Sequence, residues 1–167
     1  TLTGFPVTAH ALEPVVLDDT RGQYPLGHYL EYYEDKSAKL TIQEISSPEY
    51  DGEFMRVNKQ SMNFGQTRSA IWVRFRVQNN SVEKLYYLES DTNIIWDVRF
   101  FIQTDNTWEV RKAGFVQPFK NRDIVNRKVI FKFPLPEGES KTFYMSFKTI
   151  TPMVISLKLG NHDTLIV

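Results

Sequence analysis

From residue 69 onward, apolar and polar positions alternate. In Ile71-Trp72-Val73-Arg74-Phe75-Arg76-Val77, positions 71, 73, 75 and 77 are aliphatic or Phe, while Trp72, Arg74 and Arg76 fill the positions between. Period two marks a strand with one buried face, because successive side chains point to opposite faces. Residues 128–133 alternate in the same way, and residues 94–103 are expected to carry Trp96, Val98, Phe100 and Ile102 on one side. Polar clusters at Asn79-Asn80-Ser81, Asp91-Thr92-Asn93 and Asp105-Asn106 read as turns. They bound further strands at residues 84–90 and 108–112. Residues 142–149 and 153–159 finish the chain, with a bend at Thr151-Pro152.

The first third is less regular. Val15-Val16-Leu17 predicts one short strand, and residues 28–35, dense in Tyr29, Tyr32 and Tyr33, predict a strand or an extended edge. Thr41-Ile42-Gln43-Glu44 has capping-box spacing, which predicts a short helix over residues 42–46, ended by Pro48. About nine short strands punctuated by turns predict an all-β fold, an antiparallel sandwich or barrel with at most one or two short helices. No repeat, coiled coil or linker divides the chain, so residues 1–167 are expected to form one domain.

Composition narrows the function more than the fold. A chain of 167 residues can bury a single core. Lys plus Arg balance Asp plus Glu at 20 each, so no global field recruits nucleic acid or anionic lipid. With no cysteine there is no disulfide, thiolate nucleophile or Cys-ligated zinc. His10, His28 and His162 are far apart in sequence, and no calcium-loop pattern occurs, so no metal and no cofactor is expected. Nucleophile elbows, glycine-rich phosphate loops and His-centred sites are missing, so no catalytic residue is nominated. No run reaches the length of a membrane span, and residues 1–10 lack a basic start with an apolar run.

Candidate binding residues come from the face opposite the core. Strand parity puts Trp72, Arg74 and Arg76 on one face, and Asp97 and Arg99 on the outer face of their own strand. Tyr87 and Glu89 would join them if their strand pairs in the same sheet, and Arg122 and Arg127 would reach over from a loop. An exposed Trp beside arginines can stack a ring and hydrogen-bond hydroxyls or a carboxylate. The alternative is that the N-terminal segment or a loop covers Trp72, with Arg74 stacked beside it. The charged pairs would then be ordinary cross-strand ladders. On the open-face reading Trp72→Ala and Arg74→Ala fold normally and lose binding; on the covered reading they melt lower. The basic residues Arg111, Lys112, Lys120, Arg122, Arg127 and Lys128 suggest either solvated strand ends or an anion site.

The order of elements resembles the type 2 extracellular domain of bacterial seven-transmembrane receptors with diverse intracellular signalling modules. The matching stretches are Tyr29-Leu30-Glu31-Tyr32-Tyr33-Glu34-Asp35, Met62-Asn63-Phe64-Gly65, Ala70-Ile71-Trp72-Val73-Arg74-Phe75 and Val77-Gln78-Asn79. Residues 122–133, Leu135-Pro136-Glu137-Gly138-Glu139 and Phe143-Tyr144 continue the series, so coverage runs from about Val15 to Leu159. The resemblance implies a jelly roll similar to carbohydrate-binding modules, on the periplasmic or extracellular face of the cytoplasmic membrane. It implies a signal peptide before Thr1 and transmembrane helices after Val167, to which the domain is tethered. The expected function is sensing of a small polar ligand such as a carbohydrate or acidic sugar. Two alternatives are a structural or homodimerising sandwich without a small-molecule ligand, and a carbohydrate-active enzyme.

Overall fold

The computed structural model describes residues 12–91, 97–114 and 128–166 of the chain. Its spine is the most regular strand of the sequence. Strand β6 (Ala70–Asn79) turns Ile71, Val73, Phe75 and Val77 inward, and all four are fully excluded from solvent. It pairs antiparallel with β11 (Ser140–Lys148), Phe75 opposite Phe143 and Val73 opposite Met145. β11 pairs in turn with β8 (Asp97–Thr104). Asp105 and Asn106, both at positive φ, turn β8 into β9 (Thr107–Ala113). Two small polar residues at a left-handed turn are the chemistry a tight hairpin requires.

On its other side β6 is shared by two partners. β3 (Glu31–Asp35) lies antiparallel along its first half and β1 (Pro14–Leu17) lies parallel along its second. β4 (Met55–Arg56) extends the sheet beyond β3. The opposing sheet runs β10 (Val129–Pro134), β7 (Leu85–Ser90), β13 (Leu157–Gly160), β2 (Gln23–Pro25). A small third sheet pairs β5 (Met62–Gly65) with β12 (Met153–Ile155). The chain crosses between the two large sheets from β6 to β7, β7 to β8, β9 to β10 and β10 to β11. That zigzag is the jelly-roll sandwich expected from the sequence.

The inner faces meet in an aromatic core. Phe100 packs on Phe131, Phe133 and Phe143, Phe143 also on Phe75 and Phe133, with ring centroids 4.9 to 5.8 Å apart. Each such pair adds roughly 0.5–1.5 kcal/mol beyond the area it buries. Buried Asn79 closes the turn after β6. Its side-chain amide donates to the carbonyls of Glu83 and Leu135, each at 2.7 Å, and its oxygen accepts from Ser81 N.

Thirteen strands stand among the described residues, more than expected, because β2, β4, β5 and β12 are pairings of two to four residues. Residues 153–159 divide at Ser156 into β12 and β13, which serve different sheets. The expected helix is α1 (Ile42–Ile45), and its capping box forms. Thr41 Oγ1 accepts from Glu44 N at 3.3 Å, and the Glu44 carboxylate accepts from Thr41 N at 2.7 Å. A second short helix, α2 (His162–Leu165), is capped by Asn161, whose side-chain oxygen accepts from Thr164 N. Residues 92–96, and with them Trp96, lie outside the described residues.

Candidate functional site

Cross-strand register arranges the outer face of the large sheet in rows. One row runs Tyr33, Trp72, Ser146, Arg99, Lys112 across β3, β6, β11, β8 and β9. The next runs Glu31, Arg74, Tyr144, Phe101, Val110 across the same strands. Parity alone dictates this, since directly opposed residues share a face.

Part of this face is covered. The segment from β3 to β4, carrying α1, folds back over it. A second apolar cluster forms there from Ile42, Ile45, Ala70, Trp72, Phe101 and Tyr144, with Leu40, Tyr50 and Phe54 packed against it. Trp72 is only 3% exposed and lies 5.3 Å from Phe101, centroid to centroid. Of the two readings the open, outward Trp72 is corrected and the covered one holds: the loop from β3 to β4 lies over it. The reason is that α1 presents Ile42 and Ile45 on one side, and these can be buried only against an apolar patch.

Arg74 fastens this cover. Its Nε and Nη2 both reach Glu31 Oε2, at 2.8 and 2.7 Å. Nη1 and Nη2 donate to the Asp51 side chain and carbonyl, each at 3.1 Å. The guanidinium also sits 4.1 Å over the Phe54 ring. Burial works against its charge, but Glu31 and the Tyr144 hydroxyl outweigh this and hold its pKa above the ordinary arginine value. Arg74 is therefore buried and committed, and offers no donor to an outside ligand.

Tyr87 and Glu89 belong to β7 and so to the opposite sheet. The condition for their joining the Trp72 face is not met. Glu89, buried, accepts from Lys128 at 3.0 Å and forms an ion pair at 3.3 Å with its direct cross-strand partner Lys158. The Glu89 hydrogen bond raises the Lys128 pKa; burial opposes it, and the Asp91 hydrogen bond and the charges of both carboxylates add to the rise. Tyr87 packs with Ile130 and Leu165 under α2. Arg76 stays exposed and donates to Ser140 Oγ at 2.9 Å. Arg122 and Arg127, with Lys120, lie outside the described residues. The remaining basic residues part company, Lys128 just before β10 of one sheet and Arg111 and Lys112 on β9 of the other.

What the structure keeps of the nominated set is a groove beside the cover, with a volume of about 370 Å³. Its floor is the first row, Trp72, Ser146 and Arg99, with Phe101 from the second. Ser146, small between two large side chains, leaves the depression. One wall is residues 38–43 and the other is Val110, while Lys148 stands at the end of β11. Lys148 Nζ donates to Ala38 O at 2.9 Å and ties the wall to the sheet. The wall itself is set by Asp35, whose carboxylate accepts from Ser37 N and Oγ and from Leu40 N. Burial pushes the Asp35 pKa up, but these hydrogen bonds outweigh it, so the group titrates below its ordinary value. Arg99 contacts Asp97 Oδ2 at 3.1 Å. The Trp72 indole N–H has no hydrogen-bond partner among the described residues, and solvent does not reach it. Trp72 thus gives the groove its ring and not its donor.

Sequence reasoning therefore found Trp72 and Arg99 at this place, with Asp97 beside it as the Arg99 partner, and missed Ser146, Phe101, Val110, Lys148 and the 38–43 wall. The available signal was aromatic residues at outward parity on three strands, Trp72, Phe101 and Tyr144. An outer face that apolar needs a cover.

Two facing antiparallel sheets, with a small third sheet beside them, make the chain an all-β sandwich. The family model for the 7TMR-DISM extracellular 2 domain matches residues 27–161, most of the sandwich, and the chain belongs to that family. It is an extracellular domain of a seven-transmembrane receptor. A comparison with curated proteins gives no match. Among the described residues no helix is long and apolar enough to cross a membrane.

Proposed function

We propose that the domain is a single, non-enzymatic sensor that binds a small polar ligand, such as a carbohydrate, in the groove between residues 38–43 and the outer face of β6, β11, β8 and β9. The observation that carries this reading is the groove itself. Its volume of about 370 Å³ falls in the range of small-molecule sites, and its lining combines the apolar Trp72, Phe101 and Val110 with a few polar groups. One wall is a short excursion held to the sheet by Arg74 and Lys148, which gives a bound molecule a route to influence the rest of the receptor.

A thermal-shift screen against sugars, uronic acids and amino acids tests the proposal. A ligand present at 100 times its Kd adds about 2.7 kcal/mol to stability. For a domain of this size that raises Tm by roughly 5–10 °C. Val110 is 39% exposed, so Val110→Trp should fill the groove without disturbing the fold. The variant is expected to abolish the shift. A compound that shifts both proteins equally sits elsewhere, a screen without any shift removes the sensor reading, and a compound that is converted makes the domain an enzyme.

A further inference from the structure

The chain is neutral overall, yet its groove is not. Among the described residues Lys39, Arg99 and Lys148 are the ionisable ones that line it, and no carboxylate does. Among the described residues neither lysine meets a carboxylate: Lys148 donates to a backbone carbonyl and the Lys39 ammonium has no partner. Arg99 meets Asp97 through Nε alone, which leaves both of its terminal nitrogens without a partner among the described residues. Its side chain is 39% exposed while that of Asp97 is 10% exposed, so the cation is the accessible half of the pair. Lys112, directly across from Arg99 on β9 and exposed, extends the same charge. Cations in the floor and on the wall of a groove with apolar Phe101 and Val110 form a site for an anion. The planar fork of Arg99 suits a carboxylate, to which it can make two parallel hydrogen bonds.

Building on the ligand-groove reading, we propose that the groove recognises a small organic acid, its carboxylate held by Arg99 and Lys148 with Lys39 on the facing wall, and its body lying over Phe101 and against Val110. Two sources share this chemistry, uronic acids and non-sugar acids. The body of the molecule, not the carboxylate, separates them.

The test is isothermal titration calorimetry on the intact domain. D-glucuronate and D-galacturonate are titrated beside D-glucose and D-galactose, and L-malate and L-glutamate provide the non-sugar acids. At least one acid is expected to bind, and the neutral sugars are expected to bind at least tenfold more weakly or not at all. Raising the salt weakens the acid. Arg99→Gln lowers its affinity about tenfold to a hundredfold, the effect of losing a charge-assisted pair. Because Arg99→Gln leaves the Asp97 carboxylate alone, the double variant Asp97→Asn/Arg99→Gln is titrated too and must show the same loss. Binding by uronates only assigns the sugar source, and binding by malate or glutamate only assigns the other. If neutral sugars bind as tightly as their acids and Val110→Trp abolishes both, the groove stands and the anion proposal falls. The proposal also falls if acid binding survives both Arg99 variants. If an acid binds the Val110→Trp protein unchanged, or no probe binds at all, proposal and groove fall together.

Discussion

Replacing Arg74 by methionine removes the charge and keeps most of the volume, so it isolates the ion pair from packing. Glu31 is only 4% exposed, and its oxygen Oε2 accepts from Arg74 Nε at 2.8 Å and lies 2.7 Å from Nη2. Without the guanidinium this carboxylate is a buried charge with no counter-charge. Breaking a buried pair in this way costs about 3–5 kcal/mol. The contacts to Asp51 add little, because that side chain is 63% exposed and its charge is screened by water. Against a total stability of roughly 5–15 kcal/mol the loss is severe. For a domain of this size it lowers Tm by roughly 6–20 °C. Thermal melting followed by circular dichroism measures the drop, and urea unfolding gives the free energy. The decisive variant is Arg74→Met/Glu31→Leu, which removes both charges. It should recover most of the stability, since an apolar pair of similar volume often replaces a buried ion pair at no cost. An Arg74→Met protein melting within about 2 °C of the parent would refute the reasoning. So would a double variant no more stable than Arg74→Met.

Two further predictions concern the cover and its wall. Trp72→Ala should cost about 3–5 kcal/mol in urea unfolding, because the side chain is almost wholly buried against Phe101 and α1, and a loss under about 1 kcal/mol would show that the cover does not seal it. The lowered pKa of Asp35 implies stability that is complete above its ordinary value of 3.8 and is lost as pH falls through the depressed value. In melting curves taken from neutral to strongly acid pH, the parent should therefore lose more stability on the acid limb than Asp35→Asn does, and parallel limbs would contradict this.

The sequence by itself determined the strands, several turns and one cap, because these depend on near neighbours. The inward set Ile71, Val73, Phe75, Val77 follows from side-chain alternation along an extended backbone. The Thr41 to Glu44 box is a contact across three residues, and the Asp105-Asn106 turn needs only two residues tolerant of positive φ. The fold class followed from these and from the resemblance, which the match over residues 27–161 bears out. The site was legible only in part. Parity gave the face of Trp72, Arg74 and Arg99 correctly, but not whether that face was open. That depended on segments 23 or more residues apart in the chain meeting in space, with Ile42 and Ile45 buried on Trp72 and Arg74 clasping Asp51. Nor could parity say that β7 pairs in the opposite sheet, which moved Tyr87 and Glu89 away from the groove and gave Glu89 to Lys128 and Lys158. Alternation fixes the side of a strand on which a residue stands. Which strands become neighbours, and which segment comes to rest on them, is decided by burial of apolar surface between residues far apart in the chain, and only the tertiary structure records it.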